Sequence, residues 1–253
     1  MLNIAINTFK EIVRNRFLYM IVFFWLIFIA FSMILAQLSL WEDSKIITDF
    51  GLAMIEVFWL IWVLFVWSQL LFKEVEWKTI FLILSKPIKR SDFILGKILG
   101  FSATIFLITL FQSIVFLAVL LIKDIEITNI IIWSIINTFI KLEILLAIVF
   151  FMSTFMSNIL VIASSLMLYL ASHSYSLILD MLVKTKNELV INIWKSIQLL
   201  FPPLEALNTK DLVWSFSNLT NTYFILNIFY SFLYLTIIIY FTVIIFSRKK
   251  FEN

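Results

Sequence analysis

The sequence predicts an all-α integral membrane protein with six transmembrane helices. Composition is the first reason. The 253-residue chain is 63% hydrophobic and 14% charged, whereas a soluble domain is about 45–50% apolar and about 25% charged. Mean hydropathy is +1.07, and 28 residues are Phe. That much apolar surface cannot be hidden in the core of a water-soluble chain of this size, so the surrounding medium is lipid. The second reason is the pattern. Apolar runs cover 17–38, 50–71, 98–122, 131–155, 158–179 and 223–246, each near the roughly 20 residues that cross about 30 Å of hydrocarbon. The third is their continuity. Helices satisfy every backbone polar group within lipid, and a β-barrel would show short alternating segments instead.

Residues 2–16 are too polar to span. Leu2, Ala5, Ile6, Phe9, Ile12 and Val13 recur at helical spacing, with Asn3, Asn7, Lys10, Glu11 and Arg14 off that stripe. The pattern predicts an amphipathic helix lying in the membrane interface. The run at 17–38 follows Lys10, Arg14 and Arg16. It is longer than the 7–15 residues of a cleavable signal, so it reads as a retained span.

Orientation follows the basic residues. With six spans both termini share a side. That side holds the basic residues before 17, those of the 73–97 loop, and Arg248, Lys249 and Lys250. The other side is poorer in Lys and Arg and richer in acid. Both termini and residues 73–97 are therefore expected in the cytoplasm. The loop between spans 4 and 5 is short, near Ser157-Asn158.

Residues 180–222 form the longest segment on the opposite side. Val190, Ile193, Trp194, Ile197, Leu200 and Phe201 make one apolar helical face, and Pro202-Pro203 ends it. The segment reads as short outer interfacial helices.

The 73–97 stretch, KEVEWKTIFLILSKPIKRSDFILGK, is the most charged in the chain. Trp77, Ile80, Phe81 and Leu84 share a helical face. Pro87 stops that helix, and Ser91-Asp92 reads as the start of the next, with Ser91 as cap. Composition leaves two readings open: a platform that docks a soluble partner, or charges that only fix orientation.

Chemistry-bearing residues are sparse. There is no cysteine and one histidine, His173, so multi-His or thiolate metal sites are excluded. No Ser-His-Asp order suggests catalysis. Net charge of +3 is too small to indicate a nucleic-acid partner. Glu56 in span 2, Lys141 and Glu143 in span 4, and His173 in span 5 stand out within apolar runs. Ionisable groups there cost about 2.5–3.5 kcal/mol at mid-bilayer and often face a cavity or a partner. Either Glu56 and Glu143 line an intramembrane path or pair with basic groups on other helices, or Lys141 snorkels outward and both Glu sit near the headgroups. His173 is either a proton-sensitive or metal-contacting group or a hydrogen-bonded interior residue.

The 73–97 run resembles the cytoplasmic loop of ABC-2-type ABC transporter permeases, and most nearly those described for multi-copper enzyme maturation. The resemblance rests on Glu76, Thr79-Ile80, Leu84-Ser85-Lys86-Pro87-Ile88, Arg90 and Gly96-Lys97. Lys78 departs from it, standing where the family often has Gly. The opening T-F-K-E-I-V-R-N-R-F is similar to that family's elbow helix, and P-P-L-E-A-L-N to its outer Pro-containing motif. The resemblance implies one permease domain over 1–253, with 1–16 as the elbow, 73–97 as the coupling loop and 180–222 as the extracytoplasmic segment. It implies a dimer with a second permease subunit, each half bound by a separate ABC ATPase subunit. Glu74, Glu76, Trp77, Lys78, Thr79, Ser85, Lys86, Pro87 and Arg90 would then dock that ATPase. ATP and magnesium would be held by the ATPase: this sequence has no G-x-x-x-x-G-K-[ST] and needs no cofactor of its own. The location implied is the bacterial cytoplasmic membrane, and the cargo hydrophobic, lipid-like or a peptide. The alternative is a non-transporting immunity or assembly factor that binds a partner protein through the same surfaces.

Overall fold

The computed structural model describes residues 1–14, 25–31, 34, 43–67, 72, 89–184, 187–198, 201–214 and 221–248. Among them every regular element is a helix. In chain order these are α1 (Leu2–Ile12), α2 (Asp43–Ile61) continued by a π-helix (Trp62–Trp67), α3 (Arg90–Ile122) and α4 (Asn129–Ser153). Then come α5 (Asn158–His173), α6 (Tyr175–Lys184), α7 (Glu188–Gln198), a 3₁₀ turn (Lys210–Leu212) and α8 (Asn221–Arg248). Among the described residues four helical stretches are long and apolar enough to cross a membrane, or five if the bent pair α5–α6 is one span. The expected first span, 17–38, is described only at 25–31 and at Ile34, which are helical.

α3 is the axis of the bundle. Its 33 residues make a rod of about 50 Å, longer than the hydrocarbon layer. It begins at Arg90, eight residues before the apolar run at 98, and Lys89 is its N-cap with no side-chain cap bond. The expected cap, Ser91, thus lies inside the first turn, while Asp92 does sit in that turn, where the helix dipole favours an acid. The far end closes on Asp124 in the left-handed region, φ 53°. The Ile125 N–H donates to Leu120 O at 2.9 Å and the Asp124 N–H to Leu121 O at 3.2 Å. Ile125 and Leu120 are both buried. This is a Schellman closure with Asp in place of the usual Gly.

The basal end of the bundle gathers α1, the start of α3 and the end of α8. α1 crosses α3 at Gly96 and Gly100. A Cβ on Gly96 would lie 2.9 Å from Met1 O, and one on Gly100 would lie 2.8 Å from Ala5 O. Small-xxx-small spacing lets the two backbones approach closely. The packed face of α1 is therefore set by Ile4, Ala5, Thr8 and Ile12, and the expected apolar stripe is split. Ala5 and Ile12 turn inward, while Leu2 and Ile6 remain exposed. The Phe93 and Phe246 rings stack at 6.0 Å, and the Arg90 guanidinium reaches Ser247 O at 3.4 Å.

Span 5 is not the continuous helix expected over 158–179. It bends by 49° between His173 and Tyr175. Polar side chains at the bend compete for backbone groups. Ser174 Oγ donates to Leu170 O, and Ser172 Oγ donates to Pro202 O at 2.6 Å. Both Glu205 carboxylate oxygens accept the Ser176 N–H at 3.0 Å, capping α6 at its first turn.

The distal end is closed by residues 201–214. α7 is amphipathic, as expected, and is described over Glu188–Gln198. Its apolar face is not packed throughout: Ile193 is exposed, and Trp194 stacks on Tyr175 at 5.6 Å. Beyond it the chain turns back onto the helices. Leu204 and Leu207 are buried against Ile144 and Ile148 of α4. The segment is thus a plug in the bundle end and not a loop resting on its surface.

Candidate functional site

Beneath that plug lies a buried charge cluster. Glu56 on α2 is 1% exposed, and Lys141 on α4 is 2% exposed. Lys141 Nζ lies 2.7 Å from Glu56 Oε1. Lys210, in the 3₁₀ turn of the plug, donates to Oε2 at 2.9 Å. Tyr169 on α5 donates its hydroxyl to Oε1 at 2.6 Å. Four chain segments thus converge on one carboxylate.

His173 completes the arrangement, and its tautomer follows from its neighbours. Nδ1 faces Tyr169 O at 3.1 Å. A carbonyl only accepts, so Nδ1 carries the hydrogen. Nε2 lies 3.3 Å from Lys141 Nζ and 3.6 Å from Glu56 Oε1. The Tyr169 and His173 rings pack with centroids 4.3 Å apart. Above the cluster, Thr209 Oγ1 meets Ser134 Oγ at 3.1 Å and accepts from Asn137 Nδ2 at 3.2 Å. These bonds sew the plug to α4.

Electrostatically the cluster is one carboxylate between two ammonium groups. Burying these charges singly would be costly, and mutual pairing with full hydrogen bonding is what makes the burial tolerable. Glu56 accepts from three donors on other segments, which makes it a fastening. The deep part is sealed by Lys141 and Glu56. His173 alone of the group reaches a distal hollow of about 630 Å³, which it lines with Tyr175, Glu205 and Asp211.

The structure therefore joins Glu56, Lys141 and His173, which the sequence marked separately. It overturns the reading in which Lys141 snorkels outward, because Lys141 points into the bundle and pairs with Glu56. His173 is a hydrogen-bonded interior residue. Glu143 stays apart. Two positions from Lys141, it faces roughly 200° around the helix and accepts from Ser102 Oγ on α3 at 2.9 Å. Of the expected docking residues only Arg90 is described, and it touches the α8 terminus. Glu74, Glu76, Trp77, Lys78, Thr79, Ser85, Lys86 and Pro87 lie outside the described residues. Sequence reasoning missed Tyr169 and Lys210. Tyr169 carried a signal, standing four residues before His173 and so on the same helix face. Lys210 carried none, being one lysine among polar neighbours in a segment read as external.

A first test concerns Tyr169. Tyr169→Phe keeps the ring against His173 and removes one donor from a carboxylate that retains both lysines. The expected cost is about 1 kcal/mol, read as a lowered unfolding midpoint in a fixed detergent. A midpoint equal to wild type would mean that the hydroxyl bond contributes nothing net.

Among the described residues no group of three or more His, Cys, Asp or Glu could hold a metal ion. No protein-family model matches the sequence, and a search of curated proteins returns no match.

Proposed function

We propose that this chain is the membrane-spanning permease subunit of an ATP-driven exporter of the ABC-2 type. In this reading it pairs with a second permease subunit and docks a separate ABC ATPase through residues 73–97. The observation that carries the reading is the run from Glu76 to Lys97, with its Leu-Ser-Lys-Pro-Ile corner and Gly-Lys entry into α3. The fold agrees with it on one point of position. Residues 73–89 lead into α3 at the basal end, where α1 and the α8 terminus also meet. A force applied to that loop would act on α3, the longest rod in the bundle, and on α1 clamped across it. Both termini and this end then face the cytoplasm, in accord with the bias of Lys and Arg, and the plug faces outward. The spans would shift between two arrangements as rigid elements while the ATPase pair closes and opens. The cargo in this reading is hydrophobic, lipid-like or a peptide.

The test is co-purification. The tagged chain is isolated from native membranes in mild detergent, and associated proteins are identified. A stoichiometric ATPase is expected with wild type, and about tenfold less or lower with Glu76→Lys plus Lys86→Glu, as reversed charge across a docking contact demands. Arg90 is left intact because it holds the α8 terminus. Recovery of a non-ATPase partner in place of the motor would move the immunity or assembly reading to the front.

A further inference from the structure

Glu143 stands near the middle of α4 and outside the charge cluster. Its Oε1 accepts from Ser102 Oγ at 2.9 Å. Among the described residues it has no other hydrogen-bond partner and no ion pair. The side chain is half-buried. Its second oxygen, Oε2, has no partner and, unlike the sealed orphan atoms of the interior, is open to the bundle surface. Glu56 accepts from two ammonium groups and a phenol, whereas Glu143 has one hydroxyl. A carboxylate within a span is costly unless a partner offsets its charge.

The surface it opens onto leads into a groove. α3 and α4 run antiparallel, and Ser102–Glu143 is one rung of the seam between them. The next rung is Phe106–Phe139, one turn further along α3 and one turn back along α4, with ring centroids 5.7 Å apart. Beyond it the seam widens into a groove of about 380 Å³, lined by Phe106, Leu110, Leu117, Ile135, Ile136 and Phe139 among others. Ile132, Ile136, Phe139 and Glu143 recur at helical spacing on a single face of α4. Phe106, Leu110 and Ile114 are exposed, so the groove opens sideways to lipid. No charged side chain lines it, and Ser113 donates its hydroxyl to Thr109 O. The seam thus offers an apolar trough with one free acceptor about 6 Å beyond its basal end.

We propose that this seam binds a lipophilic amine, with its apolar body in the groove and its N–H⁺ on Glu143 Oε2. Charge complementarity selects the amine. The ligand supplies the counter-ion that Glu143 lacks, in a medium that screens such a pair little. Depth selects a single apolar body. An aminophospholipid would have to bury its phosphate in hydrocarbon to place its amine here. A quaternary ammonium carries the charge but has no hydrogen to give Oε2. The inference concerns binding alone and does not depend on an ATPase partner.

The test places the full-length chain in phosphatidylcholine nanodiscs at neutral pH. Binding of radiolabelled N,N-dimethyldodecylamine is measured against empty discs. Saturable binding above partition into the lipid is expected. Dodecyltrimethylammonium should compete about tenfold more weakly, and dodecanol more weakly still. Glu143→Gln keeps the shape and an acceptor for Ser102 Oγ. It should weaken binding about tenfold or more, with an unfolding midpoint near wild type. Ile136→Trp fills the groove and leaves the carboxylate alone, and it should weaken binding about threefold or more. No saturable binding to wild type, a Glu143→Gln protein that binds like wild type, or a quaternary analogue that competes as well as the tertiary amine would each overturn the proposal. So would undiminished binding to Ile136→Trp, or competition by phosphatidylethanolamine added to the discs. The analogue series and Ile136→Trp decide the matter even if Glu143→Gln fails to fold.

Discussion

Replacing Lys141 with Met is expected to destabilise the bundle by about 1.5–3 kcal/mol. The lysine is 2% exposed and donates to Glu56 at 2.7 Å. Met fills the same space, so the loss is electrostatic and not a cavity. It removes one of the two ammonium groups on Glu56, which keeps Lys210 as counter-ion and Tyr169 as a further donor. Glu56→Leu is the more harmful single change, about 3–5 kcal/mol, since it strands the buried Lys141. The combination is the informative variant. With both changes the deep pair is gone, and Lys210, at 26% side-chain exposure, can turn toward the distal hollow. The double variant is expected within about 1–2 kcal/mol of wild type, well short of the sum of the singles. Thermal unfolding in one detergent reads this out, with the Lys141→Met midpoint lower by roughly 3–12 °C. Additive losses would mean that the two charges do not depend on each other.

Gly100→Leu is the second large effect, and it acts at the other end. A Cβ on residue 100 would stand 2.8 Å from Ala5 O and 2.7 Å from Thr8 Cβ. One obstacle is backbone, so α1 must lift off as a unit. Overpacking of this kind costs about 1–3 kcal/mol. The consequence beyond stability is release of the first helix, seen as faster tryptic cleavage after Lys10 while the rest of the chain stays folded. Leu99→Ala, one position away at an exposed site, should leave cleavage unchanged. Unaltered protection of Lys10 in Gly100→Leu would show that α1 is held by something other than this crossing.

How far the sequence reaches depends on the kind of signal. α4 was expected at 131–155 and runs Asn129–Ser153; α8 was expected at 223–246 and runs Asn221–Arg248. Unbroken apolar runs define such helices because lipid leaves the backbone no other choice. The start of α3 was read at Ser91-Asp92, with the cap placed two residues past the true one, Lys89, although the apolar run begins only at 98. Its end was read at 122, where the helix does end, although the residue that closes it in left-handed geometry is Asp124 and not Gly. The break in span 5 hid in Ser172-His173-Ser174, since two of its fastenings, Pro202 O and the Glu205 carboxylate, come from residues about 30 positions away. The cluster was half legible. Glu56, Lys141 and His173 were conspicuous within apolar runs, but their pairing spans separations of 85 and 32 residues. A single sequence carries no record of such distances. Glu143 shows the limit well: it looks like Lys141 on the page and points the other way in space.

The separation of Glu56 from its partners also sets a schedule for biosynthesis. Lys141 is made 85 residues after Glu56, and Lys210 is made 154 residues after it. At about 5–20 residues per second of translation, the first gap lasts roughly 4–17 s. During that interval the helix bearing the glutamate has no counter-ion of its own. The ribosome is still delivering the lysines, and the insertion machinery must shelter the carboxylate until α4 arrives. The cluster is therefore completed in chain order: an early helix waits, a middle helix neutralises it, and the late plug tightens the joint. A nascent chain halted between residues 56 and 141 carries the glutamate without either of the two lysines that pair with it in the finished bundle.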